Sequence, residues 1–381
     1  MDIFCNEEHD LIRRTVRDFA EKEIRPLARE LDDKQQFSVE LTQKMGEIGL
    51  FGMVVPTKYG GHGFDTLSYI IAVEELARID SSQAATVAAH NSLGIGPIYN
   101  FGNEEQKMKY LPILCTGEAL WGFGLTEADA GSDSRGTRTK AKLENGEWTI
   151  NGSKIFITNA SSPITKGSTV QVVTGEKDGQ KEFSAIIVDQ FTPGFKAVTM
   201  HNKMMWRGSD TAELYFDDCK VPESNLVGNI GDGSRIMLNT LDSGRLSIAA
   251  MGLGLAQGAF ELAMIYARDR KQFGKPISAF QAISFKLADM ATKIELGRNL
   301  LYKACWLKDN KKPFAKEAAM SKLYCSEIAK EVADEAVQIH GGYGLMKDYD
   351  IERFYRDQRL LQIGEGTSEI QRIVITRHLG L

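Results

Sequence analysis

The chain has 381 residues, 43% of them apolar and 25% charged, which is enough to bury a large core divided over two or three domains. Its formal net charge of −5 argues against nucleic acid as a partner, because such a surface needs an excess of basic residues. The acidic residues 1–8 resemble neither a signal peptide nor a transit peptide. The longest apolar stretch, 246–267, is rich in Gly and Ala and predicts a buried helix, so we expect no membrane span.

The cysteines and histidines show no spacing typical of a disulfide framework or a metal site. No Cys-x-x-Cys pair occurs, and the six histidines are as widely dispersed as the cysteines. We therefore expect no metal, reduced thiols and a reducing compartment: a bacterial cytoplasm or, for a mature eukaryotic protein, an organellar matrix. The cysteines are Cys5, Cys115, Cys219, Cys305 and Cys325.

Helical periodicity dominates residues 1–118. Apolar residues recur at helical spacing, for example at Leu11, Val16 and Phe19, and a glycine-rich turn at 59–63 separates such segments. We predict an N-terminal helical domain.

Short runs of β-branched and aromatic residues predict a β domain at 119–222. Asn145-Gly146 and Asn151-Gly152 lie between such runs and predict hairpin turns. Because no long helix intervenes, we expect mainly antiparallel pairing in a small barrel or sandwich. The runs are 148–150, 155–158, 170–173, 183–188 and 212–216.

Long helical segments return at 223–381 and predict a C-terminal four-helix bundle. Pro313 suits a first helical turn, and Gly341-Gly342 suits a helix end. The predicted fold class is therefore mainly α with a central β domain. The long segments are 233–270, 278–308 and 313–339.

The most informative stretch is Gly364-Glu365-Gly366, directly before a predicted helix. The glycines allow a sharp turn and close approach of a ligand, and the spacing from Ser368 to Gln371 predicts a capping box. A carboxylate on such an elbow is suited to accepting a proton in a confined site. The alternative is a surface turn whose glutamate stabilises the helix dipole.

Three further segments are candidates for binding a planar, phosphate-bearing ligand. The glycine- and hydroxyl-rich segment 121–133 and the strand 155–159 could face a ring, and 121–133 could also bind phosphates through main-chain N–H groups. The basic turn 268–276 could pair with a pyrophosphate. Each also has an ordinary interpretation, as a linker, a strand or a charged turn. The glycines of 338–344 likewise suit a simple helix C-cap.

Taken together and in this order, the motifs resemble the acyl-CoA dehydrogenase family over essentially the whole chain. The family implies a helical N-terminal domain, a β middle domain, a C-terminal four-helix bundle and a homotetramer with one FAD per subunit. The motifs are Thr126-Glu127-x-x-Ala130-Gly131-Ser132-Asp133, Ile157-Thr158-Asn159, Arg207-Gly208-Ser209, Asp242-x-Gly244-Arg245, Arg270-x-Gln272-Phe273-Gly274, Gln338-x-x-Gly341-Gly342 and Glu365-Gly366-Thr367-Ser368-Glu369-Ile370-Gln371-Arg372.

The resemblance also implies which residues bind each ligand. FAD is expected to contact Phe123, Leu125, Thr126, Ser132, Phe156, Thr158, Thr367 and Glu369, and the FAD of a neighbouring subunit Arg270, Gln272, Phe273, Gln281, Gln338, Gly341 and Gly342. The acyl-CoA is expected to contact Ser132, Asp242, Arg245, Gly364 and Gly366. Asn91 is a further candidate near the acyl tail, although a structural role inside its helix is the alternative.

By the same resemblance, Glu365 removes the α-proton of an acyl-CoA while the β-hydrogen leaves as hydride to flavin N5, giving a 2-enoyl-CoA. Electrons then pass to an electron-transfer flavoprotein. The stretch 307–314 resembles the short-chain branch of the family, which implies a short-chain substrate. Straight-chain members commonly carry Tyr where this chain has Gly364, and the missing ring implies instead a bulky, alicyclic substrate such as cyclohexane- or cyclohexenecarboxyl-CoA. The alternatives are that a neighbouring side chain fills the gap, that the enzyme is an oxidase using O₂, or that the chain is a catalytically silent interaction protein.

Overall fold

The structure, a computed structural model, describes residues 4–381. The first three residues of the acidic N-terminal segment therefore lie outside the described residues. From Glu7 to Leu114 the chain is helical, as predicted. The α-helices are α1 (Glu7–Phe19), α2 (Arg25–Lys34), α3 (Val39–Glu47), α4 (Thr66–Ala77), α5 (Ser81–Ala89), α6 (Ile95–Phe101) and α7 (Glu104–Leu114).

Two π-helical turns, Ala20–Ile24 and His90–Gly94, join α1 to α2 and α5 to α6. Aspartates fix the starts of the two most buried helices. Asp65 accepts a hydrogen bond from the Ser68 N–H at the start of α4, and Asp80 accepts one from the Ser82 N–H at the start of α5. A side-chain acceptor at this position satisfies main-chain donors that the helix leaves unpaired.

The central part forms an eight-stranded sheet in the order β6-β7-β3-β2-β4-β5-β8, with β1 paired to β4. Most pairs are antiparallel, as expected, but β1 and β2 each pair with β4 in parallel, so the sheet is mixed. The strands are β1 (Leu120–Gly124), β2 (Lys140–Glu144), β3 (Glu147–Thr158), β4 (Thr165–Lys177), β5 (Gln180–Asp189), β6 (Phe195–Thr199), β7 (Thr211–Pro222) and β8 (Leu226–Val227).

Only one of the two predicted hairpin turns is present. Asn145 and Gly146 both have left-handed φ values, 52° and 80°, and connect β2 to β3. The prediction for Asn151-Gly152 is wrong, because β3 runs through both residues with a bulge in its pairing to β7. Gly152 is instead needed for close approach: a Cβ there would lie 2.6 Å from Thr139 Oγ1.

The C-terminal part is again helical, with a short hairpin of β9 (Lys271–Gln272) and β10 (Lys275–Pro276) after its first helix. The prediction that Pro313 lies in a first helical turn is wrong. Phe314 is the N-cap of the next helix, and Pro313 lies between this cap and a turn closed by the Lys312 N–H donating to the Leu307 carbonyl (2.8 Å). The helices are α8 (Gly233–Asp269), α9 (Gln281–Asp309), α10 (Ala315–His340), α11 (Ile351–Asp357) and α12 (Ser368–His378).

The N- and C-terminal helices share one hydrophobic core, in which α8 packs against α4 and α10. Glycines on α8 allow this close packing. A Cβ added at Gly254 or Gly258 would overlap the main-chain oxygens of Glu74 or Arg78 on the facing segment. Because α8 is rich in Gly and Ala, it packs closely against α4 and α10, and part of the candidate site lies on it.

The loop between β6 and β7 connects the sheet to both groups of helices. The Trp206 N–H donates to the carboxylate of Asp357 at the end of α11 (2.8 Å), and the Gly208 N–H donates to Ser82 Oγ on α5 (3.2 Å). The Arg207 Nε donates to the Asp32 carbonyl (3.0 Å). The Arg207-Gly208-Ser209 motif is therefore a junction between domains.

Within the described residues, one helix, α8, is long and apolar enough to cross a membrane by length and composition, and 67% of its most apolar window is buried inside the protein. Cys115, Cys219, Cys305 and Cys325 are buried thiols. No group of three or more potential metal-ligating side chains converges among residues 4–381.

Candidate active site

Glu365 and Gly366 form a strained elbow immediately before α12. Their φ values are 53° and 92°, and left-handed backbone is unfavourable for a residue with a side chain. The Gln371 amide donates to the Gly366 carbonyl (2.9 Å) and to the Glu365 carbonyl (3.3 Å). Thus α12 itself holds the elbow in its conformation.

The predicted capping box at this helix start is wrong. Thr367 is the N-cap, with its hydroxyl accepting from the Ile370 N–H (3.2 Å). Ser368 Oγ instead donates to the Glu327 carboxylate (2.8 Å). The helix therefore begins one residue earlier than a Ser368 cap implies, and Gln371 bonds the elbow because it does not cap the helix.

The Glu365 carboxyl group lies against the main chain of α8. A Cβ added at Gly244 would overlap Oε2 of Glu365, and it would also lie 3.2 Å from Leu93 Cδ2. Although the residue as a whole is partly exposed, Oε2 is inaccessible to solvent and has no hydrogen-bond partner among the described residues. Gly244 is thus the residue that makes room for the carboxylate.

Burial raises the pKa of Glu365 from 4.5 to about 7, against the opposing effect of the positive charges on Lys322 and Arg245. Buried carboxylates are usually paired or hydrogen-bonded, because an unpaired buried charge is costly. An unpartnered carboxylate oxygen with a pKa near neutrality is well suited to act as a general base.

Arg245 and Asp242 lie one turn apart on α8, next to Gly244, as the sequence motif places them. Their side chains form an ion pair, and the Arg245 side chain is nearly buried. Burial raises the pKa of Asp242. The Nε of Arg245 has no hydrogen-bond acceptor within residues 4–381, so this guanidinium retains a donor for a ligand.

Lys322 is a site residue that the sequence analysis missed. It lies on α10, its side chain is fully buried, and its Nζ donates to the Gly366 carbonyl (2.7 Å). Burial lowers the pKa of Lys322 to about 8. One signal was available: Lys322 follows Ala318 and precedes Cys325 and Ala329 at helical spacing, so a cation interrupts a buried stripe of small residues.

The predicted flavin residues of the sheet domain lie on adjoining segments. The Ile155 N–H donates to the Thr126 carbonyl (2.9 Å), which places Leu125 and Thr126 beside the strand carrying Phe156 and Thr158. Phe156 has a φ of 62° at a bulge in β3, and its ring is 62% exposed. An exposed aromatic ring fixed by the strand bulge fits a surface that stacks on a planar ligand.

The other two predicted residues of this domain differ in exposure. Phe123 is nearly buried in β1, and Ser132 is exposed in the loop that follows. A buried ion pair holds this loop, and the sequence analysis missed it. Glu127 accepts from Lys154 Nζ (2.7 Å), which also donates to the Leu125 carbonyl (3.2 Å).

A pocket of about 460 Å³ at the C-terminal side of α8 collects several of the remaining predicted residues. Arg270, Gln272, Gly341 and Gly342 line it, and the Arg270 guanidinium lies 5.6 Å from the centre of the Tyr343 ring. A cation, an amide and glycine main chain fit a phosphate-bearing ligand. The Phe156 surface and this pocket each fit a part of FAD, a planar ring and a pyrophosphate respectively.

Other predicted ligand contacts are not among the residues lining this pocket. Phe273, Gln281 and Gln338 are exposed, with Phe273 at 92% exposure in the β9–β10 turn. Exposed positions are expected for residues that contact a neighbouring subunit, and these assignments stay predictions. Thr367 and Glu369 lie directly after the elbow, and Glu369 is exposed.

The prediction that Asn91 binds substrate is not supported by its contacts. Its amide donates to the Leu50 carbonyl (2.8 Å) and to Val87 (3.0 Å), and its oxygen accepts from the Met53 N–H (3.3 Å). These bonds fasten a loop to the π-helical turn, which is the structural alternative. At Gly364, a Cβ would lie 3.6 Å from Leu360 Cγ, an ordinary contact, so a neighbouring side chain borders that space.

Family models match nearly the whole chain. The models described as acyl-CoA dehydrogenase N-terminal, middle and C-terminal domains match residues 6–118, 122–219 and 231–380. A probable acyl-CoA dehydrogenase of Bacillus subtilis (strain 168) is 50% identical, covering 100% of both chains. A short-chain specific acyl-CoA dehydrogenase of Clostridium acetobutylicum is 43% identical over 99% of both. An acryloyl-CoA reductase (NADH) of Anaerotignum propionicum is also 43% identical, over 100% of this chain and 96% of that protein.

Solved structures agree with these matches. Butyryl-CoA dehydrogenase of Megasphaera elsdenii has a TM-score of 0.96 at 42% identity, over 100% of both chains. A chain from a structure concerning the electron transferring flavoprotein of Acidaminococcus fermentans has a TM-score of 0.96 at 44% identity, over 100% of this chain and 99% of that one. A glutaryl-CoA dehydrogenase of Mycobacterium smegmatis in complex with FADH₂ has a TM-score of 0.94 at 31% identity, over 100% and 96%.

Proposed function

Because the chain belongs to the acyl-CoA dehydrogenase family, flavoprotein oxidoreductases that act on acyl-CoA with FAD, we propose that Glu365 is its catalytic base. The observation that carries this assignment is the Oε2 oxygen of Glu365, which is buried, unpartnered and held against Gly244. In the reaction, this oxygen takes the α-proton of the bound acyl-CoA. A pKa raised to about 7 makes the carboxylate a stronger proton acceptor than an exposed glutamate while leaving it substantially ionised near neutrality.

The elbow also supplies hydrogen-bond donors for the negative charge that develops on the thioester oxygen. The main-chain N–H groups of Glu365 and Gly366 have no acceptor in the part of the chain that the structure describes. Donors fixed in a water-poor site stabilise such charge without reorganising. The resulting enolate lies beside Arg245 and Lys322, whose positive charges favour it.

FAD would be held by Phe123, Leu125, Thr126, Phe156 and Thr158 on the sheet domain of one subunit and by the pocket around Arg270 of a neighbouring subunit. When bound, FAD supplies the acceptor for the β-hydrogen and its two electrons. The task of the chain is to orient the acyl-CoA between this acceptor and Glu365, and to exclude water from the carboxylate. Asp242, Arg245, Gly366 and Ser132 are the proposed substrate contacts.

The substrate is an acyl-CoA, and we assign it to the short-chain class. Support comes from the short-chain specific and butyryl-CoA relatives. The competing hypothesis is a bulky or alicyclic acyl group beside Gly364. Leu360 borders that position, with its Cγ 3.6 Å from a Cβ added at Gly364. Rates of flavin reduction measured side by side with butyryl-CoA and cyclohexanecarboxyl-CoA test this assignment. A faster rate with the cyclic substrate would contradict the short-chain assignment.

The proposed electron acceptor is an electron-transfer flavoprotein, supported by the similar chain from the Acidaminococcus fermentans structure. An oxidase would instead form peroxide in air, and a reductase, as in the acryloyl-CoA relative, would run the reaction towards the saturated thioester. Assays with the flavoprotein, with O₂ and with an enoyl-CoA plus reductant separate the three. Family membership sets aside a catalytically silent protein.

We further propose a homotetramer, in a bacterial cytoplasm or, for a mature eukaryotic protein, in an organellar matrix. The exposed Phe273 hairpin and the open Arg270 pocket support assembly, because a neighbouring subunit would cover them. Light scattering tests the state: a monomer that keeps FAD at full affinity would contradict it.

The central test is anaerobic reduction of the flavin by butyryl-CoA in wild type and in Glu365→Gln. The variant should bind FAD and substrate but fail to bleach the flavin. Glu105→Gln is the matched control, since Glu105 is an exposed carboxylate on α7. Bleaching by Glu365→Gln at a rate within tenfold of wild type would remove Glu365 from the role of base.

A further inference from the structure

Lys322 is a buried cation without an ion-pair partner. Its side chain is fully buried on the inner face of α10, yet among residues 4–381 it forms no ion pair or hydrogen bond with a carboxylate. A buried lysine ordinarily needs an anionic partner, because removing its charge from water is costly. Its single acceptor is the carbonyl of Gly366, at 2.7 Å. A lysine with a purely structural role would be expected to pair with a carboxylate. The single bond of Lys322 to Gly366 instead suggests a role at the Glu365–Gly366 elbow.

The bond from Lys322 fixes the peptide that follows the proposed base. The Gly366 carbonyl accepts from both Lys322 Nζ and the Gln371 amide, which come from two different helices. Glu365 and Gly366 are both in left-handed backbone, which persists only where surrounding contacts determine it. The two donors therefore hold the conformation that directs the Glu365 carboxylate towards Gly244.

The positive charge of Lys322 also acts on Glu365, and it does so without belonging to an ion pair. The charged and titratable groups around Glu365 are Lys322 on α10, Arg245 on α8 and Tyr69 on α4. Arg245 is committed to an ion pair with Asp242. Lys322 is thus the cation near Glu365 that has no ion-pair partner, although more distant charges of Glu327 and Glu369 also act on it.

We propose that Lys322 is a positioning residue for the reaction, whose ammonium group holds the Glu365–Gly366 elbow in its reactive conformation and supplies, outside any ion pair, a positive charge near the base. The inference rests on the proposed role of Glu365. The competing role is purely structural, with Lys322 fastening α12 to α10 and no effect on proton transfer.

Two variants separate the bond from the charge. Lys322→Gln keeps an N–H donor but removes the charge, and Lys322→Met removes both. Lys330→Gln is the matched control, since Lys330 lies exposed on the same helix. Each tetramer is loaded with FAD, and the rate of flavin bleaching by butyryl-CoA is measured anaerobically from pH 6 to 9, together with the apparent Kd for butyryl-CoA.

Both variants should shift the pH profile of the bleaching rate to higher pH by about half a unit or more, because losing a nearby positive charge disfavours the ionised base. Lys322→Met should also lower the maximal rate by about tenfold through loss of the elbow geometry, and Lys322→Gln should recover part of that loss. The Kd should stay within about twofold. Infrared titration of the Glu365 carboxyl in the oxidised holoenzyme should show the same upward shift without turnover.

A profile and an infrared midpoint unchanged in both variants would overturn the proposal, even if the melting temperature fell. If Lys322→Met fails to fold, the shift in Lys322→Gln decides alone. Failure of the proposed function gives a different result: wild type itself would not bleach, or Glu365→Gln would bleach normally.

Discussion

Replacing the proposed base by its neutral isostere should stabilise the folded protein at alkaline pH. The pKa of Glu365 rises from an ordinary 4.5 to about 7 on folding, with burial as the largest cause. At about 1.4 kcal/mol for each pH unit, ionising Glu365 costs about 3 kcal/mol more in the folded protein than in the unfolded chain. Since the residue is partly exposed, this figure is an upper value.

The sign follows from the direction of the change. A carboxyl whose pKa is raised on folding contributes its stability below pH 4.5, and that contribution is lost as the pH rises through 7. Glutamine does not ionise, so Glu365→Gln escapes this loss. Relative to wild type, the variant should gain little at pH 4.5 and up to about 3 kcal/mol in free energy of unfolding at pH 8.

The assay is urea unfolding of wild type and Glu365→Gln at equal FAD concentration, followed by tryptophan fluorescence from pH 4.5 to 8.5. Glu369→Gln provides the control, since its carboxylate is exposed and hydrogen bonds lower its pKa, so that variant should gain no stability as pH rises. A difference between Glu365→Gln and wild type that does not change with pH would refute the claim that the folded site raises the carboxyl's pKa.

Three other substitutions test a steric contact in the site, a buried ion pair and the close packing of α8. Gly244→Ala should displace the Glu365 carboxylate and slow flavin bleaching by tenfold or more, with little change in melting temperature. The control, Gly96→Ala, should bleach at the wild-type rate, because its added carbon meets only a methyl group at 3.4 Å. Equal bleaching rates in the two variants would refute the steric argument. Lys154→Met should lower the free energy of unfolding, measured with urea, by about 3–5 kcal/mol, because it leaves the buried Glu127 carboxylate without its ion-pair partner. A loss below about 1 kcal/mol would contradict this. Gly258→Ala should cost about 1–3 kcal/mol by pushing α8 from a main-chain oxygen of its neighbour, and an unchanged melting temperature would count against that packing.

Much of the architecture was accessible from local patterns. Helical spacing predicted the N- and C-terminal helices, and Asn145-Gly146 predicted a real hairpin, because periodicity and turn chemistry act over a few residues. The same logic failed at Asn151-Gly152. A glycine required for close approach to Thr139 has the same sequence signature as a glycine required for a turn.

By itself, the sequence determined the order of helical, β and helical segments, the family, and Glu365 as the candidate base, since each is encoded in contiguous motifs. Only the tertiary structure showed that Gly244 lies against the Glu365 carboxylate and that Lys322 donates to the Gly366 carbonyl. It also showed that the Asn91 amide donates to the Leu50 carbonyl and that Thr367, not Ser368, is the N-cap of α12. These outcomes depend on which residues distant in the chain pack together. Packing determines both the space available to a side chain and the burial that shifts its pKa, and neither can be predicted from the residues adjacent in sequence.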